Sequence, residues 1–94
     1  MDFYITEASI ISDFKILLSF KDGSTGEVDL ENYSREDSVF KKFRDGEFFK
    51  SFRIEAGTLV WGNDASEEID ISPEQLYFLA TGKKVEYKAA RNAV

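Results

Sequence analysis

The 94-residue chain contains no cysteine and no histidine, and only one proline and one methionine. Without a thiol or an imidazole there can be no disulfide, no thiolate chemistry and no serine–histidine or cysteine–histidine dyad. The nitrogen and sulfur ligands on which nearly all zinc, copper and haem sites depend are missing as well. Acid–base work is left to carboxylates, lysine and tyrosine, and metal binding to hard cations held by oxygen. No stretch approaches the roughly 18 apolar residues of a membrane-spanning helix. The start, Met1-Asp2-Phe3-Tyr4, lacks the basic region of a secretory signal. A cytoplasmic location without membrane contact is therefore expected. Basic residues are outnumbered by acidic ones, twelve to eighteen. The formal charge of -6 disfavours a nonspecific grip on nucleic acid, whose affinity comes mostly from Lys and Arg neutralising phosphates. It suits solubility and basic partners instead.

What the chain does have is aromatic carbon. Nine Phe, four Tyr and one Trp sit within a hydrophobic content of 43%, enough for one core in a chain that should bury about 60–65% of its unfolded surface. Charge is unevenly placed, with eight basic against seventeen acidic side chains over residues 1–82 and four against one over residues 83–94. Residues 1–82 are expected to form a single α+β domain, and residues 83–94, with Lys83, Lys84, Lys88 and Arg91, a basic flexible tail.

Strand periodicity is clearest at Phe14, Ile16, Leu18 and Phe20, which alternate with Lys15, Leu17, Ser19 and Lys21. The turn Lys21-Asp22-Gly23-Ser24 then leads into Thr25 to Leu30, since Asp-Gly supplies the positive φ angles of a tight hairpin. A looser apolar pattern from Phe3 to Ile11, ending at Ser12-Asp13, predicts a preceding strand paired with the one from Phe14. Next, Ser34 and Asp37 form a variant capping box ahead of Val39, Phe40 and Phe43 at helical spacing. Asp45-Gly46 stops that helix, and Asp45 can cap a further turn that carries Phe48, Phe49 and Phe52 inward. Phe52 to Glu55 and Thr58 to Trp61, joined by Ala56-Gly57, read as a second hairpin, followed by a short extended piece at Ile69 and Ile71. Ser72-Pro73-Glu74-Gln75 starts a helix carrying Leu76, Tyr77, Leu79 and Ala80, and Gly82 ends it. The expected fold is α+β: an antiparallel sheet of two or three hairpin-linked segments with two short helices packed on one face.

Few constellations remain to carry chemistry. The segment from Asn63 to Asp70 offers Asp64, Glu67, Glu68 and Asp70 as oxygen ligands for a hard cation. It lacks the alternate-position ligands and central glycine of a calcium loop, and its bland reading is a solvated acidic connection. Gly23 and Gly26 are not a phosphate loop, because no lysine followed by Ser or Thr accompanies them and a strand follows rather than a helix. Trp61 continues an apolar run and reads as core, with a contact residue on a partner surface as the alternative. Tyr87, beside Lys83 and Lys84 in the basic tail, is a candidate exposed aromatic for partner binding.

Three stretches together resemble the small bacterial family known as domain of unknown function 2442. They are Phe20-Lys21-Asp22-Gly23-Ser24-Thr25-Gly26-Glu27-Val28-Asp29-Leu30, Val39-Phe40-Lys41-Lys42-Phe43-Arg44-Asp45-Gly46-Glu47-Phe48-Phe49-Lys50, and Thr58-Leu59-Val60-Trp61-Gly62-Asn63 followed by Asp70-Ile71-Ser72-Pro73-Glu74-Gln75-Leu76-Tyr77. Gly46 stands where a proline is common in that family, and the loop after Trp61 is longer and more acidic than the usual pattern. The resemblance implies a compact α+β module without agreed catalytic residues. Some relatives append a helix-turn-helix domain, for which the residues after Gly82 are expected to be too few. Relatives also tend to be encoded beside a second small protein, an arrangement similar to toxin and antitoxin pairs. The leading expectation is thus a non-enzymatic interaction module without cofactor, able to bind a small protein partner and to self-associate. The rival is a carboxylate-based, metal-dependent hydrolase using the acidic loop 64–70. A weaker third reading makes the basic tail a nucleic-acid contact.

Overall fold

The computed structural model describes residues 2–35, 38–62 and 68–83. Strands β1 (Ile5–Ser12), β2 (Lys15–Phe20) and β3 (Thr25–Asp29) form one antiparallel sheet, A, with β2 in the centre. Strands β4 (Arg53–Glu55), β5 (Thr58–Trp61) and β6 (Ile69–Ile71) form a second, B, with β5 in the centre. Helices α1 (Glu31–Ser34) and α2 (Gly46–Lys50) flank a 3-10 helix, Val39–Arg44, between the sheets in sequence, and α3 (Pro73–Thr81) follows sheet B. The α+β class is as expected. The hairpins, however, do not merge into one sheet, and the helical segment between them is broken into three short pieces.

The break has a local cause. Ser34 does not cap the following helix, because its hydroxyl turns back to donate to the Glu31 carbonyl at 2.6 Å, closing α1. Ser38 takes the capping role instead, accepting from the Phe40 N–H at 3.2 Å. Asp45 caps α2 as the sequence predicts, with Oδ1 accepting from the N–H groups of Glu47 and Phe48. At α3 the cap, proline and glycine signals hold: Ser72 Oγ accepts from Gln75 N–H, Pro73 opens the helix, and Gly82 closes it in the left-handed conformation at φ 76°, while the Gln75 side chain donates to the Tyr33 hydroxyl at 3.3 Å.

The β2–β3 and β4–β5 turns depend on positive φ, in different ways, whereas the β1–β2 turn at Asp13-Phe14 has none. In the β2–β3 turn only Gly23 (φ 90°) is left-handed. The Phe20 N–H donates to Ser24, which leaves a three-residue loop of the kind that ends on a left-handed glycine. The β4–β5 turn has two such residues, Ala56 (φ 53°) and Gly57 (φ 79°), the pattern of a two-residue hairpin turn. Tyr4 lies against Gly57 so closely that its ring fills the place of a side chain there.

Ile16, Leu18, Phe20 and Val28 from sheet A meet Leu59, Trp61, Ile69 and Ile71 from sheet B in one buried cluster with Phe43, Phe49, Leu30 and Leu76. Burying each of these large side chains contributes about 1.5–3 kcal/mol. The Trp61 ring lies 4.6 Å from Phe43 and 6.0 Å from Phe49 between centroids. The helical pieces exist chiefly to deliver those phenylalanines, and each piece is too short to be stable by itself.

Candidate functional site

The backbone phase of sheet A determines which groups it offers. Leu30 N–H donates to the Phe14 carbonyl and Phe20 N–H to the Ser24 carbonyl, both at 2.9 Å. Backbone groups of an antiparallel strand alternate sides, so Ile16 and Leu18 also turn theirs toward β3, opposite Val28 and Gly26. The backbone groups of Thr25, Glu27 and Asp29 therefore point away from the sheet, along an outer edge with no strand beside it among the described residues. That edge is acidic. Glu27 and Asp29 are exposed on it, and Glu31 follows, its N–H donating to Asp29 Oδ1 at 3.0 Å. At the same end of the sheet an open depression of about 270 Å³ is lined by Ser12, Asp13, Phe14, Lys15, Asp29 and Glu31.

The face of sheet A opposite the core carries Ser9, Leu17 and Glu27 in one cross-strand row, with Glu7, Ser19 and Thr25 in the next. Leu17 is 41% exposed at its centre, and Ile11, the extra residue of a bulge in β1, is 46% exposed. An apolar residue on the polar phase of an alternating strand was the sequence signal for Leu17. The acids of β3 carried none, being ordinary outward strand positions until the edge itself was seen.

The candidates read from sequence fall elsewhere. Trp61 is 0% exposed and its Nε1–H donates to the Phe49 carbonyl at 2.8 Å. Its nomination as a partner-contact residue is therefore corrected: the polar handle that would reach a partner is used within the core. Glu68 accepts from Arg53 at 2.5 Å, and Asp70 is exposed on β6. Lys83 is exposed after α3, its N–H donating to Thr81 Oγ1 at 3.1 Å. Asp64, Glu67, Lys84 and Tyr87 lie outside the described residues. Among the described residues no three carboxylates converge as metal ligands.

Arg53, which the sequence reading passed over, organises the far side of sheet B. Its guanidinium donates to Glu55 Oε2 at 2.6 Å, to the Gly62 carbonyl at 2.5 Å and to Glu68. The hydrogen bond to Glu55 is the main reason its pKa is raised above an already high value, with the charges of Glu55 and Glu68 adding to it. A second polar joint ties α3 to the β2–β3 turn. Tyr77 packs edge-on against Phe20 at 5.0 Å and donates its hydroxyl to Asp22 Oδ2 at 2.7 Å. That bond, followed by the Ser24 N–H, holds the Asp22 carboxyl below its ordinary 3.8. The same bond is the leading cause that lifts Tyr77 above its ordinary 10.0.

Two three-stranded antiparallel sheets around one aromatic core, with short capped helices, define a small α+β module. The chain matches the family described as "Protein of unknown function (DUF2442)" over residues 5–82, and it belongs to that family. No curated protein and no solved structure matches it.

Proposed function

We propose that the protein is a non-enzymatic interaction module that binds a small basic protein on the acidic edge of β3, as one member of a pair of the toxin–antitoxin kind. The observation behind this reading is the outward-directed backbone of Thr25, Glu27 and Asp29 beside the carboxylates of Glu27 and Asp29, with Glu31, paired with Arg35 at 3.4 Å, next along the chain. A partner strand added there gains main-chain hydrogen bonds, and its alternate side chains face the acids. Lys or Arg at those positions complements them, which speeds encounter and fixes register. The exposed Leu17, one strand inward, gives the same surface an apolar centre. A partner encoded nearby, which the family resemblance implies, is consistent with this reading.

The test is copurification of the tagged protein from its native host at native abundance, alongside a Glu27→Lys, Asp29→Lys double variant. One stoichiometric small basic protein is expected with the wild type, and at least a tenfold loss of it with the variant, whose circular dichroism should be unchanged. A partner-free wild type, or a partner retained by the variant, refutes the assignment.

A further inference from the structure

The opposite edge of sheet A has a different chemistry. Because Leu17 and Ser19 turn their backbone groups toward β1, Ser9 and Glu7 opposite them are engaged with β2, while Ala8 and Ile10 direct theirs outward. At one end the Gly57 carbonyl takes the Ile5 N–H at 2.9 Å, and at the other the register shifts at the bulge between Ile10 and Ser12. The stretch between, residues 7–11, has no strand paired on its outer side among the described residues and reads Glu7-Ala8-Ser9-Ile10-Ile11. It holds one charge and neither the lysine nor the proline that many exposed edges carry, and the irregularities that blunt β1, its register shifts between Ile5 and Glu7 and between Ile10 and Ser12, lie at the two ends of the stretch.

We propose that this edge pairs with the same edge of a second copy of the chain, antiparallel, about a two-fold axis at Ser9. Ser9 is the midpoint of this stretch, so this register uses all of it. Ala8 and Ile10 then exchange backbone hydrogen bonds with the partner's Ile10 and Ala8, and Ser9 faces its own counterpart as a close, non-hydrogen-bonded pair. Glu7 falls opposite the partner's Ile11, which puts the two Glu7 residues at opposite ends of the ladder. At about 3.3 Å per residue they are roughly 13 Å apart, beyond the screening length of about 8 Å at physiological salt. Self-pairing through β3 would instead crowd Glu27 and Asp29 against their own copies, so the charge pattern selects β1 for a like partner and leaves β3 for a basic one. Five residues a side bury on the order of a few hundred Å², short of the roughly 1,200 Å² of a stable interface. The dimer is accordingly weak and concentration-dependent.

The absence of cysteine makes the test clean. Ser9→Cys introduces the only thiol, and mild oxidation of concentrated protein should yield a disulfide-linked dimer at least tenfold faster than Thr25→Cys, the matching thiol on β3. In sedimentation experiments the wild type should shift from monomer to dimer with concentration. Ser9→Lys and Ser9→Glu should each stay monomeric, since like charges directly across a ladder repel, and their equimolar mixture should dimerise again. A wild type that is monomeric at millimolar concentration, a Ser9→Lys protein that dimerises undiminished, or cross-linking no faster than through residue 25 overturns the proposal. The Glu27→Lys, Asp29→Lys variant leaves this edge untouched, so the two proposals fail separately.

Discussion

Single positions in this fold carry unusually definite demands. Gly26 on β3 is one: a Cβ there would lie within 2.8 Å of the Ala80 carbonyl carbon and closer still to its oxygen, and a helix backbone cannot move aside as a side chain can. Gly26→Ala is expected to destabilise the protein by about 1–3 kcal/mol, the range of overpacking, read as a lower urea midpoint. Trp61 is another. Trp61→Phe removes the donor to the Phe49 carbonyl and part of the core volume, for an expected loss of about 2–4 kcal/mol. Before that substitution, Trp61 emission should be blue-shifted and shielded from iodide. The difference between these residues marks what a sequence discloses. Trp61 was legible as core from the apolar run it continues. The closeness of Gly26 to α3 was not, because nothing in Thr25-Gly26-Glu27 says that a helix 54 residues later will lie against it.

Elements were legible where local signals agreed. Around α3 a cap, a proline and a terminal glycine all point the same way, and the β2–β3 and β4–β5 hairpins announce themselves by glycine at the turn, which the β1–β2 turn at Asp13-Phe14 lacks. The stretch from Ser34 to Arg44 failed because two serines compete for one cap: Ser34 has a carbonyl of its own turn within reach, which leaves Ser38 to start the next helix. Asp45→Ala should cost about 1 kcal/mol, as helix caps commonly do, and Asp45→Asn much less, measured by thermal melts. The joint between α3 and the first hairpin should respond to pH. A carboxyl held below its ordinary value stabilises the fold above 3.8 and loses that contribution as pH falls through its folded value. A phenol held above its ordinary value stabilises the fold below 10.0 and loses that contribution as pH rises through its own. The stability difference between wild type and Tyr77→Phe is therefore expected to be largest between these limits and to shrink on both sides, in urea titrations across pH.

For the whole molecule, the two sheets and the helical segment share one core, so unfolding should be cooperative despite the divided sheet. What sequence could not supply at this scale was the split itself and the two edges of sheet A that have no neighbouring strand among the described residues. Hydrophobic alternation reports which side chains face inward, but not where a strand's backbone lacks a neighbour. Arg53 has a consequence of a different sort. By holding the Gly62 carbonyl and Glu68 together with β4, it clamps the chain on both sides of residues 63–67, where β5 and β6 pair. Doubling a loop adds only about 0.6 kcal/mol of closure entropy. Inserting five Gly and Ser residues after Ala65 should thus shift the thermal midpoint by only a few degrees, whereas the same insertion in an Arg53→Met background should be markedly more damaging. The junction between Gly62 and Glu68 is then expected to accept foreign sequence at small cost to the fold.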